Sequence, residues 1–284
     1  MAEATSRVSR QKRGMKRGVC IAAVVLLLVL VVETTLGATL SRKPPQQTFK
    51  ETFIARCHQY NGRCFIPCRS DCETIWSTFE QAYVGRDPCK IPTDAYNPLF
   101  QVAPIETPPD KAMFWSKTKD VVDAYNDKRK CFVTMKDTLL GSVLDDLSWC
   151  GKEGSSETFT SDCPDWNYCE DNPVRSFWTQ GSTKFAEAAA GDATVMLNGS
   201  IATPFDNSSF FAKTEVPNLK YPKVRKLTVV LVTKATPVST CSNESLNELR
   251  QKLDSNIIYE CKEVSETRIN ECASNNNISC TDCW

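Results

Sequence analysis

Residues 138–178 gather aromatics, carboxylates and cysteines in one stretch, TLLGSVLDDLSWCGKEGSSETFTSDCPDWNYCEDNPVRSFW. Indole faces beside acids can hold a planar, positively charged ligand, with disulfides fixing the walls. Asp145 and Asp146 are the densest carboxylate pair for acid and base work. Helical neighbours point apart, so one of the two is expected to face a given pocket; the plain alternative is that both are solvated. Trp115 and Trp178, taken singly, read as partly buried core residues, but as a pair across a cleft they would stack on a cationic ring. Glu215 is a lone acid in the turn-rich segment SSFFAKTEVPNL, where it is either a surface glutamate or a site residue supplied by a loop. There is no P-loop, dinucleotide-binding glycine fingerprint or G-x-S-x-G elbow, and the only histidine, His58, is not placed for a triad. This argues against acyl-transfer hydrolysis.

Periodicity supplies the elements that must position these residues. Helical spacing covers 52–57 and 72–83, and prolines interrupt the backbone from Pro88 to Pro109. Helices are predicted over 117–130, 135–147 and 177–190, the second with a broad face of Leu139, Leu140, Val143, Leu144 and Leu147. Further on, 193–197, 226–233 and 257–259 read as buried strands, with a helix over 242–253 between the last two. Strand, helix, strand implies a small parallel, Rossmann-like sheet behind a mostly helical front, an α/β fold. Ligands of such sheets lie at the carboxyl ends of the strands, where Trp115 falls if 112–115 is a strand.

Compartment is legible from the amino end and from the cysteines. Residues 1–18 form a basic tail, and 19–32 are uniformly apolar. With the softer stretch that follows, 19–40 spans 22 residues, long enough to cross a bilayer. Basic residues on the amino side favour a retained signal anchor and a single-pass type II protein at the cell surface. Cleavage near Thr35-Leu36-Gly37 would instead give a secreted protein. Residues 41–48, with Pro44 and Pro45, read as a stalk. Leaving out Cys20, 14 cysteines follow the apolar run, a disulfide-forming set for an oxidising compartment. The gaps Cys64 to Cys68 and Cys280 to Cys283 have metal-ligand spacing, but too few histidines or further pairs accompany them for a zinc site. Sequons at Asn198, Asn207, Asn243 and Asn277 agree with a secretory route and glycosylation. After residue 42 the chain has 27 Lys and Arg against 32 Asp and Glu, a poor balance for nucleic acid but compatible with a nucleotide held in a local pocket.

Eight motifs in order resemble one family: FWSK at 114–117, DTLLG at 137–141, LDDLSWCG at 144–151, DCPDW at 162–166, NPVRSFW at 172–178, FAEAA at 185–189, VMLNGS at 195–200 and the run ending in Glu215-Val216. They resemble the ADP-ribosyl cyclase and cyclic ADP-ribose hydrolase family of surface and secreted NAD glycohydrolases. The resemblance implies a helical region from 45–108 and 134–189, a parallel-sheet region from 109–133 and 190–284, and NAD bound between them as substrate, with no cofactor. Glu215 would be the catalytic glutamate and Trp115 and Trp178 the aromatic walls. Asp145 would touch the nicotinamide carboxamide and Ser182 would lie near the ribose, with Lys117 and Lys136 also at the substrate. Five disulfides carry over: Cys57 with Cys72, Cys89 with Cys169, Cys150 with Cys163, Cys241 with Cys261, and Cys272 with Cys280. The remaining four cysteines are expected to pair as Cys64 with Cys68 and Cys131 with Cys283.

Three departures from the family pattern stand out. Lys136 occupies a position that is commonly glutamate, where a cation would repel a pyridinium unless it pairs with Asp137 or Asp145. It is the main support for the alternative reading, a catalytically weak surface receptor. Pro109 and Ala190 replace a cysteine pair, and the run before Glu215 is one residue longer than usual. The oligomeric state is open, with a homodimer among the options.

Overall fold

Four parallel strands form one sheet in the order of their occurrence: β1 Met113–Ser116, β2 Gly191–Asn198, β3 Val224–Thr233 and β4 Ile258–Ser265. The computed structural model describes residues 48–62, 71–234 and 236–284. Strand side chains alternate in direction, so each strand feeds two cores. Val195, Leu197, Val229 and Leu231 join the larger core, which also holds the helical layer. Met196, Val230 and Val232 join a second core on the opposite face. Burial on both faces explains why β3 reads as an unbroken apolar run.

The helices are α1 Phe49–Asn61, α2 Cys72–Gln81, α3 Asn97–Val102, α4 Lys119–Arg129, α5 Leu139–Leu144, α6 Pro173–Ala188, α7 Glu244–Lys252 and α8 Glu266–Ser274. α1, α2, α3, α5 and α6 meet in an aromatic core. Phe79 lies 5.0 Å from Tyr83 and 5.2 Å from Trp149, and Phe177 lies 5.5 Å from Tyr96. Trp149 is fully buried, and its indole N–H donates to the Tyr96 hydroxyl at 3.0 Å, which satisfies the polar atom. Each such side chain contributes about 1.5–3 kcal/mol by leaving water. The opposite face of the sheet is covered by α4 and α8, through Val122, Tyr125 and Ile269.

The expected single helix over 135–147 is two pieces. Met135–Asp137 is a 3-10 turn closed by a reciprocal cap between Thr134 and Asp137. Thr138 then caps α5, its hydroxyl accepting from the Gly141 N–H at 3.2 Å. α5 stops at Asp145, because Asp146 takes a left-handed conformation with φ 57°. α6 starts earlier than its apolar spacing suggests: Asn172 accepts from the Arg175 N–H at 2.9 Å and Pro173 opens the helix. β4 runs further than 257–259, and α8 follows it directly. The α8 segment, ETRINECAS, has too few apolar residues to announce a helix; it is specified by the Ser265 cap and by packing on α4.

Four disulfides join the cysteines that the family resemblance pairs: Cys57–Cys72, Cys89–Cys169, Cys150–Cys163 and Cys241–Cys261. The expected Cys272 with Cys280 and Cys131 with Cys283 are corrected to Cys131–Cys280 and Cys272–Cys283, with Cα separations of 5.9 and 5.7 Å. The cause is local. Arg129 at the end of α4 donates to the carbonyls of Cys272, Asn275 and Ile278, which draws the carboxyl-terminal segment across Cys131. The 3-10 turn Cys280–Cys283 then returns Cys283 to α8 beside Cys272. At Pro109 and Ala190, where the resemblance led to no disulfide, hydrogen bonds tie the chain: Asp110 N–H donates to Ala190 O at 2.9 Å, and Asp192 N–H to the Asp110 carboxylate at 2.7 Å. The expected bridge from Cys64 to Cys68 and the expected anchor at 19–40 lie outside the described residues. Among the described residues no helix is long and apolar enough to cross a membrane.

Candidate active site

The carboxyl end of β1 opens towards a cleft of about 490 Å³. Trp115 is the one outward-facing residue of β1, 38% exposed, and lines this cleft. The strand ends at Lys117, whose left-handed backbone (φ 59°) turns the chain into α4. Lys117 also lines the cleft and pairs with Asp206 at 3.2 Å. Hydrogen bonds from Ser208, with the Lys117 ammonium adding to them, hold the Asp206 carboxyl down at about 2.

α6 supplies Trp178 and Ser182, four residues apart and therefore on one face. Glu215 comes from the loop between β2 and β3. Residues Phe211–Glu215 form a single wide turn of π type, a geometry that recurs at functional sites because it re-aims a side chain. The turn buries Glu215 to 8% exposure, hydrogen-bonded to Ser182. Burial pushes its carboxyl up to about 8, against the smaller opposing effect of the Ser182 hydroxyl. A carboxyl raised in this way would ionise when a cation arrives beside it.

The end of α5 supplies Asp145, and the preceding 3-10 turn supplies Lys136. Lys136 Nζ lies 3.3 Å from the Asp145 carboxylate and 3.2 Å from that of Asp123 on α4. Burial alone would lower its pKa, but the two carboxylates outweigh burial and raise it. The pairing with Asp145 is one of the two anticipated. Asp137 instead closes the cap with Thr134, and Asp123 takes the second place.

All seven expected substrate-site residues, Trp115, Lys117, Lys136, Asp145, Trp178, Ser182 and Glu215, line the same cleft. The expectation that only one of Asp145 and Asp146 faces it is corrected: both do, since the left-handed Asp146 is no longer a helical neighbour. Asp146 lies 4.0 Å from Lys119. Sequence reasoning did not single out Asp123, Trp166 or Phe210 as site residues. Trp166 and Phe210, with ring centroids 5.8 Å apart, add an aromatic wall. Trp166 sits inside the DCPDW motif, which was a usable signal, whereas Asp123 is one acid among many on the polar face of a helix. No cluster of His, Cys, Asp or Glu among the described residues is arranged to hold a metal.

A family model described as ADP-ribosyl cyclase matches residues 46–281. The rat ADP-ribosyl cyclase/cyclic ADP-ribose hydrolase 1 is 37% identical over 239 residues, covering 82% of this chain and 79% of the relative. The ADP-ribosyl cyclase/cyclic ADP-ribose hydrolase of Aplysia kurodai is 32% identical over 217 residues, covering 72% and 77%. The structure of porcine CD38 with a covalent intermediate, ribo-F-ribose-5'-phosphate, matches with a TM-score of 0.73 at 38% identity, covering 79% of this chain and 99% of that one. Sequence, fold and the residues gathered in the cleft agree, and the chain belongs to the ADP-ribosyl cyclase family.

Proposed function

We propose that this cleft cleaves the bond between nicotinamide and ribose in NAD, with Glu215 as the catalytic carboxylate. By family the chain is an NAD glycohydrolase and ADP-ribosyl cyclase. The observation that carries the assignment of roles is the buried Glu215 against Ser182 in a cleft walled by Trp115 and Trp178. Nicotinamide in NAD is already a cationic leaving group. The carbon–nitrogen bond breaks with its electron pair going to the ring, and neutral nicotinamide departs. The positive charge passes to the ribose, where an ionised Glu215 stabilises the oxocarbenium ion or forms an ester with the anomeric carbon. The covalent intermediate described for porcine CD38 supports the second course. Attack by water, which gives up a proton, yields ADP-ribose; attack by adenine N1 yields the cyclic product.

Trp115 and Trp178 sandwich the base and Asp145 accepts from its carboxamide N–H, while Ser182 orients Glu215 and Lys117 attracts phosphate. Lys136, which favours the receptor reading, is countered by two carboxylates, so its charge is no barrier to a pyridinium. Residues 19–40 act as a signal anchor, the catalytic region is extracellular, and Asn198, Asn207, Asn243 and Asn277 are glycosylation positions. Incubating the purified protein with NAD and separating nicotinamide, ADP-ribose and cyclic ADP-ribose tests the reading. Nicotinamide release with ADP-ribose as the major product is expected, and intact NAD after prolonged incubation with folded protein would overturn it.

A further inference from the structure

The cleft contains three lysines, and two have an acid each: Lys117 with Asp206 and Lys119 with Asp146. Lys136 has two, Asp123 and Asp145, at nearly equal distances. The surplus carboxylate leaves this end of the cleft negative, as a cationic ring requires. Asp145 alone could neutralise Lys136, but the ammonium would then compete for the carboxylate assigned to the carboxamide. Asp123 reaches Lys136 from α4 and lines the same cleft, and its side chain is only 26% exposed. It therefore takes a share of the ammonium's charge and N–H donors off Asp145, with little solvent screening.

We propose that Asp123 is a positioning residue that sets base specificity: by sharing the Lys136 ammonium with Asp145, it makes the cleft prefer a pyridinium bearing a carboxamide over one bearing a carboxylate. The proposal rests on the reading of the cleft as the NAD site. Without Asp123, Lys136 would present unshared N–H donors and a net positive charge to the substituent on the ring. A carboxylate there would pair with it, and the neutral amide would gain nothing.

The test compares kcat/KM for NAD with kcat/KM for the dinucleotide in which nicotinic acid replaces nicotinamide. The parent is expected to prefer NAD. Asp123→Asn should lower that preference about tenfold, the size of one unit charge acting across a partly screened cleft. The change should lie mainly in KM, and Asp123→Glu should largely restore the parent ratio. In a Lys136→Met background, Asp123→Asn should lower the ratio clearly less than in the parent, since the residue acts mainly through Lys136. An unchanged ratio in Asp123→Asn, or an equal change with and without Lys136, would overturn the proposal. Should Asp123→Asn fail to fold, Asp123→Ser read in the same two backgrounds decides: a ratio lowered as much with Lys136→Met as without it sinks the idea. A parent that leaves NAD intact defeats the functional reading instead, and the same ratio measured as Kd by calorimetry still decides the role of Asp123.

Discussion

The role proposed for Glu215 needs a charge that its setting disfavours. In an unfolded chain its carboxyl would ionise near 4.5, whereas in the folded protein burial keeps it protonated up to about 8. Between those values the folded state holds a proton that the unfolded state has released, so this group's contribution to stability falls as pH rises through the window. Glu215→Gln removes that penalty. The variant should melt above the parent at about pH 9, and the gap should close at about pH 5. The same ionisation should govern turnover. For the free enzyme the active form carries the carboxylate, so kcat/KM should climb with pH and level off above about 8. The bound pyridinium stabilises the carboxylate, so kcat should be flatter. Glu215→Gln should lose about 10³-fold or more in kcat at every pH. A kcat/KM flat from about pH 5 to about pH 9 would show that the buried carboxyl is already ionised in the free protein. Glu215 was legible as a residue through its family motif, but its protonation was not, because burial depends on the π turn and on Ser182 from another element.

The segment Met135–Leu144 shows how an element can be recognised while its geometry is missed. Its apolar spacing marks a helix correctly from Leu139, yet the caps at Thr134 and Thr138 divide it and bring the first turn back against the second. That fold-back needs Gly141: a Cβ there would lie 1.9 Å from the Met135 carbonyl oxygen and 2.8 Å from its carbon. A backbone group cannot swing aside as a side-chain tip can. Gly141→Ala would gain about 1 kcal/mol in helix propensity and lose more to the clash. We expect a net destabilisation of about 1–3 kcal/mol, measured as a shift in the urea midpoint at constant slope. Because Met135 carries Lys136 with it, the substitution should also disturb the Asp123–Lys136–Asp145 cluster and raise KM for NAD more than it lowers kcat. A variant as stable as the parent would mean that the turn opens at no cost. Proximity of this kind leaves no mark on periodicity, which registers one face of a helix and not what crosses it.

At the scale of the molecule, strand, helix, strand was enough to foresee the parallel sheet, because β2, β3 and α7 carry strong apolar patterns. The covering of its second face was not foreseen, since α8 is polar and depends on α4 and the carboxyl-terminal cysteines. Those cysteines lie so close together that spacing could not choose their partners. Tyr125 Oη alone is within 3.6 Å of Cys131 Sγ and 3.3 Å of Cys283 Sγ. The arrangement found, Cys131–Cys280 and Cys272–Cys283, closes one segment of 149 residues and one of 11. Chain entropy makes the long closure worth about 5 kcal/mol and the short one about 3 kcal/mol. Replacing both Cys131 and Cys280 by alanine should therefore destabilise the protein more than replacing both Cys272 and Cys283, with the difference read from urea unfolding without reductant. The pairing itself can be read from the unreduced parent, because cleavage before Asp282 separates Cys280 from Cys283. Cys280 should then remain linked to the peptide of Cys131, and Cys283 to that of Cys272. Finding Cys272 linked to Cys280 and Cys131 to Cys283 would overturn the crossing drawn by Arg129, and equal losses from the two double substitutions would overturn the ranking of the two closures.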